Sequence, residues 1–259
     1  MKRVFERTEQ SEDFFKCISM GYVPLKFAFV GSAAYTHDRL ALTAGYSAVV
    51  GSVPEEVSFL STVVRGIVGQ RSVCLVEFGP GNGIHAGAFY AAFSKEVRIS
   101  KLVQLIDYSS TLLDIARARL EAKCPELEFS TASFDLEKVE LSGRILEPCS
   151  GPRLALLLGN TIGNVESVRD ALRNVRGQLD QSDLFAFGYS LFDRSVPRAS
   201  YLESYRSNEL RAAATEPLIM TGASTDSFSF ELEFDEKLRA IVGVVKFDRP
   251  TLLQSDENE

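Results

Sequence analysis

The sequence predicts an α/β protein built on an open, mostly parallel sheet, and three observations support this fold class. Short apolar runs alternate with helical patterns from residue 72 onward. The run Leu154–Leu158 is continuously apolar, as in strands buried on both faces of a parallel sheet. Strict alternation over Ser227–Phe234, followed by a second strand over Arg239–Phe247, predicts a terminal antiparallel hairpin. Five βα units and this hairpin would form one seven-stranded sheet.

Three parts are expected along the chain. Residues 1–68 lack a clear strand pattern and are predicted to form an N-terminal helical cap, with a lid over residues 21–53. Residues 69–250 contain the alternating strands and helices of the α/β domain. Residues 251–259 form an acidic tail. The length of 259 residues suits one large domain with such a cap.

Charge and composition exclude several classes of partner. The net charge is −7 and the pI is about 5.1, which disfavours nucleic acid because phosphate binding needs a basic surface. No apolar run has transmembrane length and the N-terminus lacks a signal-peptide core, so we expect a cytoplasmic protein without a membrane partner. The four cysteines form no CxxC pair and are expected to be reduced thiols. With two histidines and no clustered ligands, a metal site is not expected.

The stretch Val73–His85 organises the chain. An apolar run ends at Glu77 and Phe78, and a tight turn and a helical pattern come next. Three glycines occupy alternate positions of this turn: Gly79, Gly81 and Gly83. Dinucleotide-binding loops prefer GxGxxG, whereas this spacing is GxGxG, and Pro80 removes one N–H donor. A loop with few donors after an acidic residue suits S-adenosylmethionine, which carries positive charge and no phosphate. The alternative is a turn that only packs a helix onto the sheet.

Two further strand ends carry side chains suited to a nucleoside. Asp107 ends the second predicted strand, where an acid accepts hydrogen bonds from ribose hydroxyls, and the ring of Tyr108 could cover an adenine face. After the third strand, Asp135 is placed to accept from the adenine amino group and Phe134 to pack on the ring. The alternatives are a helix-capping or surface aspartate at Asp107, and an ordinary solvent-exposed turn after the third strand.

The run Gly159–Asn164 follows the apolar fourth strand, at the edge where open α/β sheets bind ligands. Asn164 is also placed to cap a helix starting near Val165. Capping requires only one residue, however, and does not explain Asn160 or the two glycines. We therefore expect the whole run to belong to a site.

These motifs together resemble a class I S-adenosylmethionine-dependent methyltransferase. The motifs are Glu77–Gly83, Ile106–Ser109 and Leu157–Asn164. The last of them is similar to the strand-four segment of the histidine-specific Nα-methyltransferases, the ergothioneine-pathway enzymes. The resemblance covers roughly residues 25–210. It implies a Rossmann-like fold, an N-terminal cap, and S-adenosyl-L-methionine as the cofactor.

Site residues follow from the strand ends and from this resemblance. The residues expected to bind the cofactor are Glu77, Gly79, Gly81, Asn82, Asp107, Tyr108, Phe134, Asp135, Gly159, Asn160 and Thr161. The resemblance itself carries over Gly79 and Asp107. By position, Asn164 matches the family's asparagine that holds the amino acid's amine and carboxylate end, and Tyr205 matches its substrate-pocket tyrosine. These two are the candidate catalytic residues, which would orient the amine. Tyr46 is the nearest counterpart of the family's N-terminal substrate tyrosine.

The chain also departs from the family pattern. His85 stands where the family often has lysine. The family continues into a longer β-rich segment whose glutamate and serine grip an imidazole, and Arg239–Phe247 offers no such glutamate. We expect recognition of an amino acid's backbone groups to remain and selection for histidine to be lost.

The predicted function is therefore N-methylation of an amino acid or related amine. One alternative is O- or C-methylation of an amino-acid-derived metabolite, and another is a non-catalytic cofactor-binding partner subunit. A nicotinamide-dependent enzyme is disfavoured by the glycine spacing. The expected partner is a small molecule. A homodimer would be formed through apolar lid residues such as Phe27, Phe29 and Val30.

Overall fold

The computed structural model describes residues 4–43, 46, 51–138, 144–189, 191 and 195–254. Residues 255–259 of the predicted acidic tail, and 44–45 and 47–50 of the predicted lid, lie outside the described residues. The chain divides into two compact units. The sheet unit comprises residues 47–190, and the hairpin unit comprises residues 1–46 with 191–259. The boundaries predicted at residues 68 and 250 stay predictions.

The sheet unit alternates strands and helices as the sequence predicts. Its elements are α3 Val53–Val68, β1 Val73–Phe78, α4 Ile84–Phe93, β2 Ile99–Asp107, α5 Ser110–Lys123, β3 Glu128–Ser133, β4 Arg153–Leu157, a 3₁₀ turn Thr161–Asn164, α6 Val168–Gln178 and β5 Leu184–Phe187. The five strands are parallel, in the order β3-β2-β1-β4-β5. Every residue of β1 and β4 is buried, which explains why all of them except Glu77 and Arg153 are apolar.

Helices cover both faces of this sheet. Alternate residues of β1 point to opposite faces, so Leu75 packs in the core formed with α3, α4 and α5, whereas Val76 packs in the core formed with α6. Gly83 permits the close packing of α4 on α5, because a Cβ there would lie 2.9 Å from both Cα and O of Ala116. Its φ of +80° also favours glycine.

The hairpin unit is built from the two chain ends. Its elements are α1 Thr8–Ser19, a 3₁₀ helix Leu25–Phe29, α2 Gly31–Ala41, α7 Arg198–Ser204, α8 Asn208–Met220, β6 Phe228–Asp235 and β7 Ala240–Phe247. Its aromatic core includes Phe5, Phe14 and Phe27, with centroids 5.1 Å apart for Phe5–Phe14 and 5.3 Å for Phe14–Phe27. Phe27 and Val30 are buried in this unit, so these side chains are not available as the predicted dimer contact.

The prediction of one seven-stranded sheet is corrected by the structure. Strands β6 and β7 pair antiparallel with each other, from Phe228 opposite Phe247 to Asp235 opposite Ala240. In the described part of the chain they form a separate two-stranded sheet, and the parallel sheet has five strands. Alternating sequence predicts a half-buried strand but carries no information about which sheet edge the strand joins.

The described residues also include the four cysteines and all helices that were searched for membrane spans. All four cysteines are free thiols, and Cys17, Cys74 and Cys124 are buried whereas Cys149 is exposed. Among the helices that the structure describes, none combines the length and the apolar character needed to span a bilayer.

The contact at Gly83 gives a test of the sheet unit's packing. We expect Gly83→Ala to lower the free energy of unfolding by about 1–3 kcal/mol, because the new methyl group overlaps the Ala116 backbone at an unfavourable φ. Gly66→Ala is the matched control. Gly66 lies exposed inside α3 with no atom within 4 Å of the position that a Cβ would take, so alanine should stabilise the protein by about 0.5–1 kcal/mol. Urea unfolding measures both, and an unchanged stability in Gly83→Ala would contradict the packing described.

Candidate active site at the carboxyl edge of the sheet

The sheet topology brings the predicted cofactor residues of the sheet unit to one edge. Strand β1 lies between β2 and β4, with Glu77 opposite Leu105 on one side and Leu156 on the other. All three strands are parallel, so the loops that follow them leave the sheet at the same edge. The glycine loop follows β1, Asp107 ends β2, and the run Gly159–Asn164 follows β4.

The glycine loop contacts the loop after β4. Gly79 has a φ of +68° and donates its N–H to the carbonyl of Ile106 at 2.7 Å. A Cβ at Gly79 would lie 2.6 Å from Cγ2 of Thr161, whose hydroxyl donates to the carbonyls of Leu158 at 2.9 Å and Gly79 at 3.4 Å. Gly79 and Thr161, both predicted as cofactor residues, are thus brought into direct contact.

Gly81 is the open position of this loop. Its φ is +57°, and no atom lies within 4 Å of the position that a Cβ would take. The backbone there is consequently accessible to a ligand. Asn82 is buried beside it, accepts from the N–H of Ile84 at 3.2 Å, and offers its carbonyl to Arg119 at 3.0 Å. These contacts fix the conformation of the loop where it leads into α4.

Glu77 is a buried carboxylate directly below the glycine loop. Its side chain accepts a hydrogen bond from the hydroxyl of Tyr90 on α4. Burial raises the pKa of Glu77 to about 7, although the Tyr90 hydrogen bond and the nearby His85 lower it and the charge of Glu56 raises it. Burying such a carboxylate is unfavourable in an apolar interior unless a positive charge accompanies it.

His85 and Glu56 form a second charged contact next to Glu77. Nε2 of His85, in the first turn of α4, lies 2.9 Å from Oε2 of Glu56, in the first turn of α3, without the alignment of a hydrogen bond. Burial lowers the pKa of His85, but the contact with Glu56 and the charge of Glu77 outweigh it, so the pKa is raised above its usual value. The imidazole is therefore disposed to carry a positive charge beside two carboxylates.

Asp107 ends β2, as predicted, and its side chain is partly occupied by a local turn. Oδ1 accepts from the N–H of Ser109 at 3.0 Å, and the Ser109 hydroxyl in turn caps α5 by accepting from Leu112 at 3.1 Å. The carboxylate is half-buried at the strand end, as is the ring of Tyr108. A carboxylate has acceptor sites beyond the one used in this turn.

Of the two predicted adenine-binding residues after β3, one is buried in the core and the other is partly exposed. Phe134 is buried and packs 6.2 Å from the ring centroid of Phe78, in the core on the α6 face. Asp135 is half-buried and accepts from the N–H of Glu137 at 3.0 Å. The adenine contacts expected of both residues stay predictions.

In the run Gly159–Asn164, the structure settles the capping question. Helix α6 begins at Val168, and Ser167 caps it by accepting from the N–H of Asp170 at 3.3 Å. The expectation that Asn164 caps this helix is therefore wrong, because Asn164 ends a 3₁₀ turn and residues 165–167 separate it from the helix. Asn164 is half-buried, and its side chain makes no hydrogen bond to any residue that the structure describes. Asn160 begins the turn with a φ of +63°.

The two predicted substrate tyrosines belong to the hairpin unit. Tyr46 and Tyr205 are both half-buried, although they lie far apart in the sequence. Burial raises the pKa of Tyr46 to about 12, and the nearby Tyr205 raises it as well. The unit thus brings the two tyrosines into electrostatic contact, while their role in substrate binding stays a prediction.

Sequence reasoning missed two residues of these groups. Glu56 lies in the first turn of α3, and nothing in its spacing points to His85, which lies in another helix. His37 contacts Tyr46, as described below, but it lies in a stretch without a clear pattern. Neither contact has a local sequence signal, because each forms only when separate elements pack.

The sheet unit fits S-adenosylmethionine in its chemistry. The open backbone at Gly81, the buried carboxylate of Glu77 and the strand-end carboxylate of Asp107 would face a ligand with an ammonium group and a ribose. When bound, this molecule supplies a methyl group on a sulfonium sulfur.

A comparison with family models decides the assignment. Residues 53–247 match the model described as histidine-specific methyltransferase, SAM-dependent. The chain belongs to this family. It is accordingly an S-adenosylmethionine-dependent methyltransferase, and the resemblance noted in the sequence is confirmed.

Solved structures give matches at low identity, and curated protein sequences give no match. A protein of Methanococcus maripaludis assigned as an S-adenosyl-L-methionine-dependent methyltransferase is 14% identical, with a TM-score of 0.40, and 91% of this chain covers 95% of that one. The plantazolicin methyltransferase BpumL, in complex with a triazolic desmethylPZN analog and SAH, is 13% identical. Its TM-score is 0.46, with 88% of this chain and 83% of that chain covered.

The buried carboxylate predicts a pH-dependent stability. The pKa of Glu77 is about 7 in the folded protein and near 4.5 in the unfolded chain. Below pH 4.5 the carboxyl group is neutral in both the folded and the unfolded state, and its contribution to stability is fully present. As the pH rises through 7 the group must ionise while buried, and that stability is lost. We expect Glu77→Gln to stabilise the ligand-free protein at pH 8 by up to about 3 kcal/mol and to change little at pH 5.

Urea unfolding at both pH values measures this difference. Glu12→Gln is the control, since Glu12 is exposed on α1 and its replacement should change stability by less than about 0.5 kcal/mol at either pH. Equal effects of Glu77→Gln at pH 5 and pH 8 would show that burial does not govern this carboxyl group.

Proposed function

We propose that the chain methylates the nitrogen of an amino acid or a related small amine. The observation that carries this proposal is the position of the Asn164 side chain, which does not cap a helix. The side chain stands at the carboxyl edge of the sheet, beside the loop that contacts Gly79, and Ser167 rather than Asn164 caps α6. An amide in this position has both a donor and an acceptor to offer to an amine and a carboxylate.

The hairpin unit supports the same substrate class. Tyr46 and Tyr205 are assigned separately, by position in the family, and Tyr205 is near enough to Tyr46 to raise its pKa. Two neutral tyrosine rings can attract an ammonium group through their faces and accept its N–H bonds through their oxygens. A methyltransferase family named for histidine methylation is consistent with an amino acid as the acceptor class.

Methyl transfer from a sulfonium requires mainly alignment, but the amine must first lose a proton, to water or a nearby carboxylate, so that its lone pair can attack the methyl group. The leaving sulfide is neutral, so positioning the nucleophile in line can supply much of the rate, up to about 7–11 kcal/mol in intramolecular models. In this proposal Asn164 orients the amine, and the carboxylate of Glu77 favours a positive charge on the ligand at the glycine loop.

The cofactor site is tested by calorimetric titration with S-adenosylhomocysteine. We expect micromolar binding by the wild-type protein and at least about a tenfold loss in Asp107→Ala, because the carboxylate is the proposed acceptor for the ribose hydroxyls. Asp235→Ala is the matched control, since Asp235 also ends a strand and accepts backbone N–H groups, from Lys237 at 2.7 Å and Leu238 at 2.9 Å. Undiminished binding by Asp107→Ala would refute its assignment.

The acceptor role is tested by a methyl-transfer screen over amino acids, including histidine, and amines. We expect Asn164→Ala to lower kcat/KM for the amine roughly 10- to 100-fold while the affinity for S-adenosylhomocysteine stays unchanged, since the amide contacts the acceptor only. Asn208→Ala, at an exposed position of α8, should retain full activity. Transfer to hydroxyl acceptors but to no amine would replace N-methylation by the O-methylation alternative.

A further inference from the structure

A histidine inside the hairpin unit contacts one of the two predicted substrate tyrosines. His37 lies on α2 and is only 6% exposed. Its Nε2 lies 3.4 Å from the hydroxyl oxygen of Tyr46, at the long end of a hydrogen bond, and the two rings meet edge to face with centroids 5.5 Å apart. In the described part of the chain, this is the hydrogen-bond contact found for the His37 side chain.

The surroundings keep this imidazole neutral. Burial lowers the pKa of His37 to about 4, and the charge of Asp38 opposes the shift only in part. The ring of Phe29 packs against it edge to face with centroids 4.7 Å apart. A neutral imidazole has one nitrogen that donates and one that accepts, whereas a protonated one has two donors.

The neutral state of the His37 imidazole matters because the neighbouring tyrosines would bind an amine. Tyr46 itself stays protonated over the physiological range, because burial and the nearby Tyr205 raise its pKa to about 12. The hydroxyl can therefore donate its proton to an accepting Nε2. Its oxygen then has both lone pairs turned away from His37 and available to an N–H group, while a protonated imidazole would repel a cationic amine.

We propose that His37 is a positioning residue that fixes the hydroxyl of Tyr46 as a hydrogen-bond acceptor for the amino group of the methyl acceptor. The inference rests on the proposed function, in which Tyr46 and Tyr205 contact that acceptor. It specifies the substrate class further: the acceptor presents an N–H donor to Tyr46. His37 acts through Tyr46 and requires no contact with either substrate.

The test uses two replacements of His37 in the full chain. His37→Phe keeps a flat ring against Phe29 and removes both nitrogens, and we expect the KM for the amine to rise about tenfold with a much smaller change in kcat. His37→Gln places an amide oxygen near the position of Nε2 and should restore most of the affinity. The affinity for S-adenosylhomocysteine should be unchanged in both variants. Equal defects in the two variants, or an unchanged KM in both, would overturn the proposal.

A double-mutant cycle separates positioning from packing. If His37 acts through Tyr46, then His37→Phe adds little to the KM increase caused by Tyr46→Phe. Independent, multiplying effects of the two substitutions would overturn the proposal and leave His37 as a core residue.

A spectroscopic measurement keeps this inference separate from the proposed function. In ¹⁵N NMR of the wild-type protein, we expect His37 to be neutral at pH 7 with Nδ1 protonated and Nε2 accepting. A protonated Nε2 would overturn the positioning role whether or not the protein methylates amines. If Nε2 accepts but no amine is ever methylated, the proposed function fails, and with it the role assigned to His37 in substrate binding.

Discussion

The parallel pairing of β1 with both β2 and β4 is the constraint on which the sheet unit's site depends. It sends the three loops after these strands to one edge, and it brings Gly79 against Thr161. The pairing is possible only because both faces of the sheet are covered, which demands the apolar residues of β1 and β4. The chemistry at the edge is thus supported by residues that never reach it.

Glu77 shows the opposition between stability and ligand binding in one side chain. An apolar residue at the end of β1 would suit the core better, since the carboxylate is buried and its pKa is raised to about 7. Tyr90 and His85 compensate in part, through a hydrogen bond and a charge. Proteins commonly keep such unfavourable groups where they bind something, and the position just below an open glycine loop fits that pattern.

Local sequence patterns were sufficient for the parallel sheet and for much of the candidate site. Gly79, Gly81 and Gly83 all adopt positive φ, and Asp107 ends its strand as expected, because turns and strand ends are specified by neighbouring residues. The partner of the hairpin was not predictable, since the alternation in β6 fits any sheet edge. Contacts such as His85 with Glu56 and His37 with Tyr46 join residues on separate elements, and no spacing along the chain encodes them. The 3₁₀ turn that ends at Asn164, and the cap of α6 at Ser167, were likewise not predictable from the residue types of this run.

A carboxyl group with a pKa of about 7 is about half protonated in neutral solution. Any cationic ligand that settles above Glu77 favours its ionised form, so binding expels up to about half a proton per molecule into the solvent at pH 7. The heat of association then contains the heat with which the buffer takes up that proton. Titrations in phosphate and in Tris would give different apparent enthalpies for the same complex. The size of the difference would report how many protons Glu77 releases on binding.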